Sequence, residues 1–290
     1  MSLSCSKNGN SGWALVIHGG AGDYEAHAIE SSRSFLYRVF QESRDILLQQ
    51  GADEAVLHAV KCLEDHPDYN AGTGSKIQSD GVIRMTACYM DSGRRVFSAV
   101  VNIEGVKNPI VVAHLLQQEK FPALAGVQAT LYARQNGFSP YNPVTDLQLE
   151  RYRQGVAGSR GTVGACAIDT GGLMAMATST GGVGLEIPGR LSDDASPCGG
   201  YCSDSLAVSA TGIGETIVNT ICVPRLCALA DYGISFDKAC AYTEKLFQQQ
   251  NGDGGWIAVS RNYDIYAFYN TKGMRHYGEN HLGQIIEPGR

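Results

Sequence analysis

Hydrophobic and polar positions change period repeatedly along this chain, and each change marks an element. An apolar run at 13–17 reads as a strand and ends in His18-Gly19-Gly20-Ala21-Gly22, where the backbone needs glycine freedom. Leu36, Val39, Phe40 and Leu47 fall at helical spacing with Gly51 as the stop; Val56, Ala59, Val60 and Leu63 mark a second helix. Pro67 and the turn Asn70-Ala71-Gly72-Thr73-Gly74 break that pattern. Residues 82–91 and 95–102 pattern as a hairpin through Ser92-Gly93, and Asn108-Pro109 opens a helix over 110–119. From 138 to 160 the chain is polar and aperiodic, with Pro140, Pro143, Gly155 and Gly158, which predicts an exposed linker.

The second half opens with strands at 162–169 and 173–180. A three-residue loop, Thr170-Gly171-Gly172, pairs Asp169 with Leu173, and counting back along both strands sets Thr162 opposite Thr180. A strand at 206–210 leads through Thr211-Gly212-Ile213-Gly214-Glu215 into an apolar helix over 216–230, which Pro224 should kink. A helix at 236–250 and strands at 256–259 and 265–269 complete the pattern. Strands and helices interleave without regular βαβ units, so the class is α+β rather than a doubly wound sheet.

Composition narrows the function. A chain of 290 residues with 43% hydrophobic content can bury a large core, as one domain or two. A net charge of −6 offers no basic footprint, which argues against a nucleic-acid partner. There is no apolar run long enough for a membrane span, and the stretch at 14–17 is too short for a secretory signal. Nine scattered cysteines, an odd number, predict reduced thiols in a cytoplasmic protein. The closest pairs, Cys198 with Cys202 and Cys222 with Cys227, lack zinc-site spacing, so no metal–thiolate centre is expected.

Gly161-Thr162-Val163-Gly164-Ala165 carries the chemistry. A threonine hydroxyl is a poor nucleophile without a base beside it. A cut between Gly161 and Thr162 would create that base, the new α-amine, on the same residue. On its own a threonine opening a buried strand is ordinary packing; a second hydroxyl opposite it, from Thr180, is harder to explain that way.

Further segments follow in order: His18-Gly19-Gly20-Ala21-Gly22, the run at 63–75, Gly189-Arg190-Leu191-Ser192-Asp193, and Ser209-Ala210-Thr211-Gly212-Ile213-Gly214-Glu215. With the Gly161-Thr162 segment they resemble, over nearly the whole chain, the plant-type asparaginase and isoaspartyl peptidase family of N-terminal nucleophile hydrolases. The resemblance implies one domain over 1–290, folded as a four-layer αββα sandwich. It also implies autocleavage into 1–161 and 162–290, with 138–161 as the exposed linker before the cut. Thr162 would be the nucleophile and Thr180 would tune it, while Thr211 and the Gly212 N–H would form the oxyanion hole. Arg190 would hold the substrate α-carboxylate, and Asp193 with the Gly214 carbonyl would take its α-ammonium. Backbone carbonyls of Leu63, Glu64, His66, Tyr69, Ala71 and Thr73 would bind a structural sodium; no catalytic cofactor is implied. A transition metal on His66 is not expected, and His18 reads as structural. Small molecules, β-aspartyl dipeptides and L-asparagine, are the implied partners, and a homodimer of αβ units the implied assembly.

The match departs in places. The family commonly has Glu-Met-Asp-Ala where this chain has Arg84-Met85-Thr86-Ala87. Ser192 stands where a glycine is usual, and 194–205 is slightly short. These departures border the substrate anchor and bear on the leaving group. A glycosylasparaginase-like or taspase-like hydrolase is an alternative, although both resemble an Asp-Thr junction and Gly161 speaks against them. A catalytically silent binding protein of the same fold is the other.

Overall fold

The computed structural model describes residues 12–24, 26–157 and 161–288. Cys5 and residues 158–160 of the expected linker lie outside the described residues. The first half runs β1 (Ala14–Gly22), α1 (Ala26–Gln50), α2 (Ala52–Asp65), β2 (Met85–Asp91), β3 (Ser98–Ile103), α3 (Pro109–Leu115), β4 (Ala123–Ala125), α4 (Gly126–Gln135) and α5 (Asp146–Arg153). The second half runs β5 (Val163–Ile168), β6 (Met174–Thr180), β7 (Gly200–Cys202), β8 (Leu206–Gly212), α6 (Gly214–Thr220), α7 (Cys222–Asp231) and α8 (Phe236–Gln249). Strands β9 (Gly254–Ser260), β10 (Ile265–Tyr269), β11 (Gly273–Asn280) and β12 (Ile285–Ile286) close it.

Among the described residues the class is mixed α and β, with two sheets. Eight strands form one in the order β12-β11-β1-β5-β6-β2-β3-β4, and β3 with β4 is its parallel pair. The other has four antiparallel strands, β10-β9-β8-β7. Side-chain alternation along β5 and β6 assigns the faces. Val163, Ala165, Ala167, Ala175 and Ala177 share a core with Phe40, Val56, Val60 and Leu63 of the first two helices. The alanines keep that face low, so α2 can lie close against it. Cys166, Ile168, Met174 and Met176 point the other way and pack with Ala207, Ile257 and Val259 of the small sheet. Beyond it, Leu206, Val208, Ala210 and Trp256 meet Ile217, Leu226, Cys240 and Phe247 of α6, α7 and α8.

The predicted hairpin holds its register: Asp169 N donates to Leu173 O, and Val163 stands opposite Ser179. Other elements differ from the sequence reading. Residues 146–153 of the polar stretch form α5, because Thr145 caps it by accepting from Gln148 N. The helix expected at 216–230 is two, broken at Ile221 with a left-handed φ of 44°. Pro224 has no N–H for the Thr220 carbonyl, so the break falls one turn ahead of it. The helix after Pro109 ends at Leu115 and tightens into a 3-10 turn. Strand β11 was not legible, because Arg275, His276 and Glu279 interrupt its apolar pattern, yet it pairs with β1 along its length. None of the described helices is long and apolar enough to cross a membrane. The eight described cysteines are free thiols.

Candidate active site

Thr162 sits one residue before β5, and the β5–β6 register carried one step further sets it beside Thr180. Thr86 of β2 pairs with Thr180 in turn. Alternation turns all three residues to the face that looks toward the small sheet. All three are buried, Thr162 at 5% exposure. A row of three threonines across neighbouring strands has no value for an apolar core, where each hydroxyl must find a partner.

A cleft of about 250 Å³ opens over this row, lined by Gly161, Thr162, Thr180, Gly182, Val183, Arg190, Ser192, Asp193, Gly212 and Gly214. Of the residues expected at the site, only Thr211 stands off the wall. It is fully buried at the end of β8, where its Oγ1 accepts from Ala21 N at 3.1 Å. That bond uses a lone pair and leaves the hydroxyl proton to donate elsewhere. The bulge between His18 and Ala21 in β1 aims that N–H, with Gly20 at φ 104°.

Charge is concentrated on one side of the cleft. Arg190 is bound by Glu215, Nε to Oε1 at 2.6 Å and Nη2 to Oε2 at 2.8 Å. The hydrogen bonds and charge of Glu215 raise the guanidinium's pKa, while Arg190 holds the Glu215 carboxyl below its ordinary value. Those two bonds use Nε and one Nη2 hydrogen and leave the other guanidinium N–H groups outside the Glu215 clasp. Asp193 is buried, its Oδ2 has no hydrogen-bond partner, and burial pushes its pKa up to about 6. Asp194 beside it is fully buried with both oxygens unpartnered, and burial with the Asp193 charge raises it further.

Beneath the cleft runs a hydroxyl chain. His18 Nε2 meets Ser209 Oγ at 2.8 Å, and Ser209 meets Thr178 Oγ1 at 2.9 Å. Burial drives the His18 pKa down to about 3, so the ring is neutral at the foot of this chain.

Sequence reasoning missed several supporting residues. Asn70 donates from Nδ2 to Gly182 O at 2.6 Å and accepts Gly181 N on its own carbonyl at 2.8 Å, fixing the turn after Thr180. Asn102 N donates to Thr86 Oγ1, and its Nδ2 donates to Arg190 O at 3.2 Å. Its φ of 52° was the strain that placed it there, a signal no periodicity carries. Arg84 points to partners of its own, Asp80, Glu104 and Gln78, and does not line the cleft.

The 63–73 loop stands apart from the cleft and joins it through Asn70. Its turns are held by His66 N to Leu63 O, Tyr69 N to His66 O and Thr73 N to Glu64 O. A Cβ at Gly72 would come 2.4 Å from Glu64 O, and one at Gly74 2.3 Å from Pro67 O and 2.8 Å from Tyr69 O. The glycines therefore let the chain pass close to the Glu64, Pro67 and Tyr69 carbonyls, and backbone oxygens are the donors that a hard cation such as sodium takes. Side chains of the loop are engaged elsewhere. Asp65 binds Asn108 and Lys107, and the His66 ring lies 4.2 Å from Phe35. Glu64 accepts from Ser179 Oγ at 2.6 Å and Ile110 N at 3.0 Å, which ties this loop to the strand that bears Thr180.

Comparison with known proteins places this geometry in context. The family model described as Asparaginase matches residues 11–159 and 150–285. The isoaspartyl peptidase/L-asparaginase of Nostoc sp. (strain PCC 7120) is 37% identical, covering 86% of each chain. The isoaspartyl peptidase of Escherichia coli K12 is 32% identical over 90% of each chain. The plant-type L-asparaginase of Pyrobaculum calidifontis is 34% identical, over 90% of this chain and 94% of its own.

Proposed function

The chain belongs to the asparaginase family, and we propose that it is a self-processed threonine hydrolase of β-aspartyl dipeptides and the side-chain amide of L-asparagine. One observation carries this reading: Thr162, preceded by Gly161 and set beside Thr180, opens onto a cleft that also presents Arg190 and Asp193.

In the first step Thr162 Oγ attacks the Gly161 carbonyl carbon, the peptide C–N bond breaks, and an ester replaces it. Water then opens the ester, which leaves Gly161 with a carboxylate and Thr162 with a free hydroxyl and a free α-amine. In turnover the amine takes the hydroxyl proton as Oγ attacks the substrate's side-chain carbonyl, and passes that proton to the departing amine. A β-aspartyl ester on Thr162 remains, and water releases aspartate from it. Thr180 hydrogen-bonds the nucleophile. The Thr211 hydroxyl proton and the Gly212 N–H stabilise the oxyanion. Arg190 holds the α-carboxylate with the paired donors that Glu215 leaves, and Asp193 with the Gly214 carbonyl holds the α-ammonium.

The same reading takes 1–290 as one domain in four layers, αββα, supported by the three separate cores that alternate with the sheets. The fragments would be 1–161 and 162–290, assembled as a dimer of αβ units. Carbonyls of Leu63, Glu64, His66, Tyr69, Ala71 and Thr73 would hold a sodium ion that stiffens the loop; catalysis calls for no cofactor. Free thiols throughout the described chain fit a reducing, cytoplasmic compartment. Gly161 rather than aspartate ahead of the nucleophile disfavours the glycosylasparaginase-like and taspase-like readings. Of the grounds for a silent protein, Arg84 is engaged by Asp80 and Glu104, while Thr86 and the altered 191–205 segment remain.

A denaturing gel and an amidase assay test the proposal. Wild type is expected as two bands meeting at Thr162, and Thr162→Ala as one inactive band. An uncut wild type that hydrolyses neither β-Asp-Leu nor asparagine overturns it.

A further inference from the structure

Away from the cleft, helices α1 and α2 bring together three side chains of different chemistry. His58 and Cys62 lie one turn apart on α2, and Glu42 faces them from α1. We propose that Glu42, His58 and Cys62 form a binding site for a thiophilic divalent cation of the zinc class, with its fourth position open to water.

The spacing argues for it. His58 Nε2 is 3.6 Å from Cys62 Sγ and 3.8 Å from Glu42 Oε2, and all three ligand atoms lie within 4.8 Å of one another. A tetrahedral ion with Zn–S of about 2.3 Å and Zn–N of about 2.0 Å sets its sulfur and nitrogen roughly 3.5 Å apart. The nitrogen and a carboxylate oxygen then stand about 3.3 Å apart on the same centre. The His58–Cys62 edge is thus already at its metal-bound length. Glu42, exposed and free to change rotamer, has only about half an ångström to move relative to His58.

The surroundings match a ligand histidine. Ser43, fully buried, places its Oγ 3.1 Å from His58 Nδ1. A partner on one ring nitrogen fixes the other, Nε2, toward Cys62 and Glu42, as metal-bound imidazoles require. Burial lowers the His58 pKa, which keeps the ring neutral with its lone pair available. Burial and the Glu42 and Asp65 charges push the Cys62 thiol up to about 11, so the cation must displace its proton: thiol plus M²⁺ gives M–thiolate plus H⁺. Oxygen, nitrogen and sulfur donors together favour zinc over magnesium or calcium. Cysteine spacing gave no warning of this, because a single thiol takes part and its partners are a histidine four residues back and a glutamate on another helix.

Co²⁺ titrated into the full-length protein is the direct probe, since a thiolate–cobalt charge-transfer band reports sulfur ligation. One equivalent is expected to bind with that band, Zn²⁺ to displace it, and Zn²⁺ to raise the melting temperature. Cys62→Ser should abolish the band, His58→Ala and Ser43→Ala should each weaken Co²⁺ binding about tenfold or more. None of the three lines the cleft, so hydrolytic activity of the metal-free variants is the check that they fold. A band that survives in Cys62→Ser would assign it to another thiol, such as the half-buried Cys198, and overturns the site. A wild type without the band at tenfold excess of Co²⁺ overturns it equally.

Discussion

Arg190 is clasped by Glu215 through two hydrogen bonds, although it lines the same cleft as Asp193. The clasp orients the guanidinium and keeps it from turning onto the Asp193 carboxylate, whose charge it also feels. Glu215→Ala should release Arg190 toward Asp193 and cancel both substrate anchors together. KM for β-Asp-Leu is expected to rise about tenfold or more, with kcat within about twofold, because ground-state binding is what is lost. Arg190→Ala should abolish saturable binding yet still self-cleave, since the chain cutting itself has no free carboxylate to hold. An uncut Arg190→Ala chain would assign the arginine to the fold instead.

Gly20 backs the Gly161–Thr162 peptide, the proposed cleavage site. Its φ is 104°, and a Cβ there would lie 2.5 Å from Gly161 Cα, a backbone atom that can yield only by moving the main chain. Gly20→Ala should therefore displace Gly161 and block self-cleavage, with a stability loss of about 1–3 kcal/mol. Gly172→Ala is the control, because its φ of 82° carries the same strain but its Cβ meets open space. Processing on a gel should fail in the first and persist in the second.

The β5–β6 hairpin shows what the sequence makes legible. Loop length and strand alternation are local, so the pairing of Thr162 with Thr180 could be counted from the residues alone. Arg190, Asp193, Gly212 and Gly214 came from motif resemblance, and they line one cleft. What stayed hidden is what depends on distant partners. Glu215 carries no role in the sequence pattern, because its meaning comes from an arginine 25 residues earlier. Asn70 and Asn102 act through backbone groups of other segments, and β11 hides behind Arg275, which stacks 4.4 Å from the Tyr24 ring. Thr211 differs in another way: it belongs to the site's expected set, yet its Oγ1 accepts from Ala21 N, a bond to the bulge in β1 that no motif announces.

The buried His18 predicts acid lability. An unfolded chain takes a proton at this residue near pH 6.5, whereas burial depresses the folded value to about 3. Between those values the unfolded state holds more protons, so stability is full above about 6.5 and falls as pH drops toward 3. One such group contributes a slope of about 1.4 kcal/mol per pH unit. Denaturant melts across that window should show it. His18→Gln should flatten the profile by one proton, while Ser209→Ala should lower stability at every pH and leave the slope. An unchanged slope in His18→Gln would show that other groups set the acid limit.

Asp193 and Asp194 are adjacent, both buried, and opposite in expected behaviour. Asp193 lines the cleft beside Arg190, whose charge favours its ionised form against the burial that raises it to about 6. Asp194 is off the wall and fully buried, and burial together with the Asp193 charge raises its pKa, which favours the protonated form of this member of the pair. Only an ionised carboxylate can hold an ammonium. KM for β-Asp-Leu should thus be flat above about pH 6 and climb about tenfold per unit below it, as a single protonating anchor requires. Asp193→Asn should raise KM about tenfold or more and remove the limb, because the amide carries no charge to lose. Asp194→Asn keeps the shape of a side chain that does not line the cleft and should leave both KM and the limb in place. KM profiles of the two variants between pH 5 and pH 8 decide the matter: if Asp194→Asn erases the limb and Asp193→Asn keeps it, the ammonium anchor is Asp194.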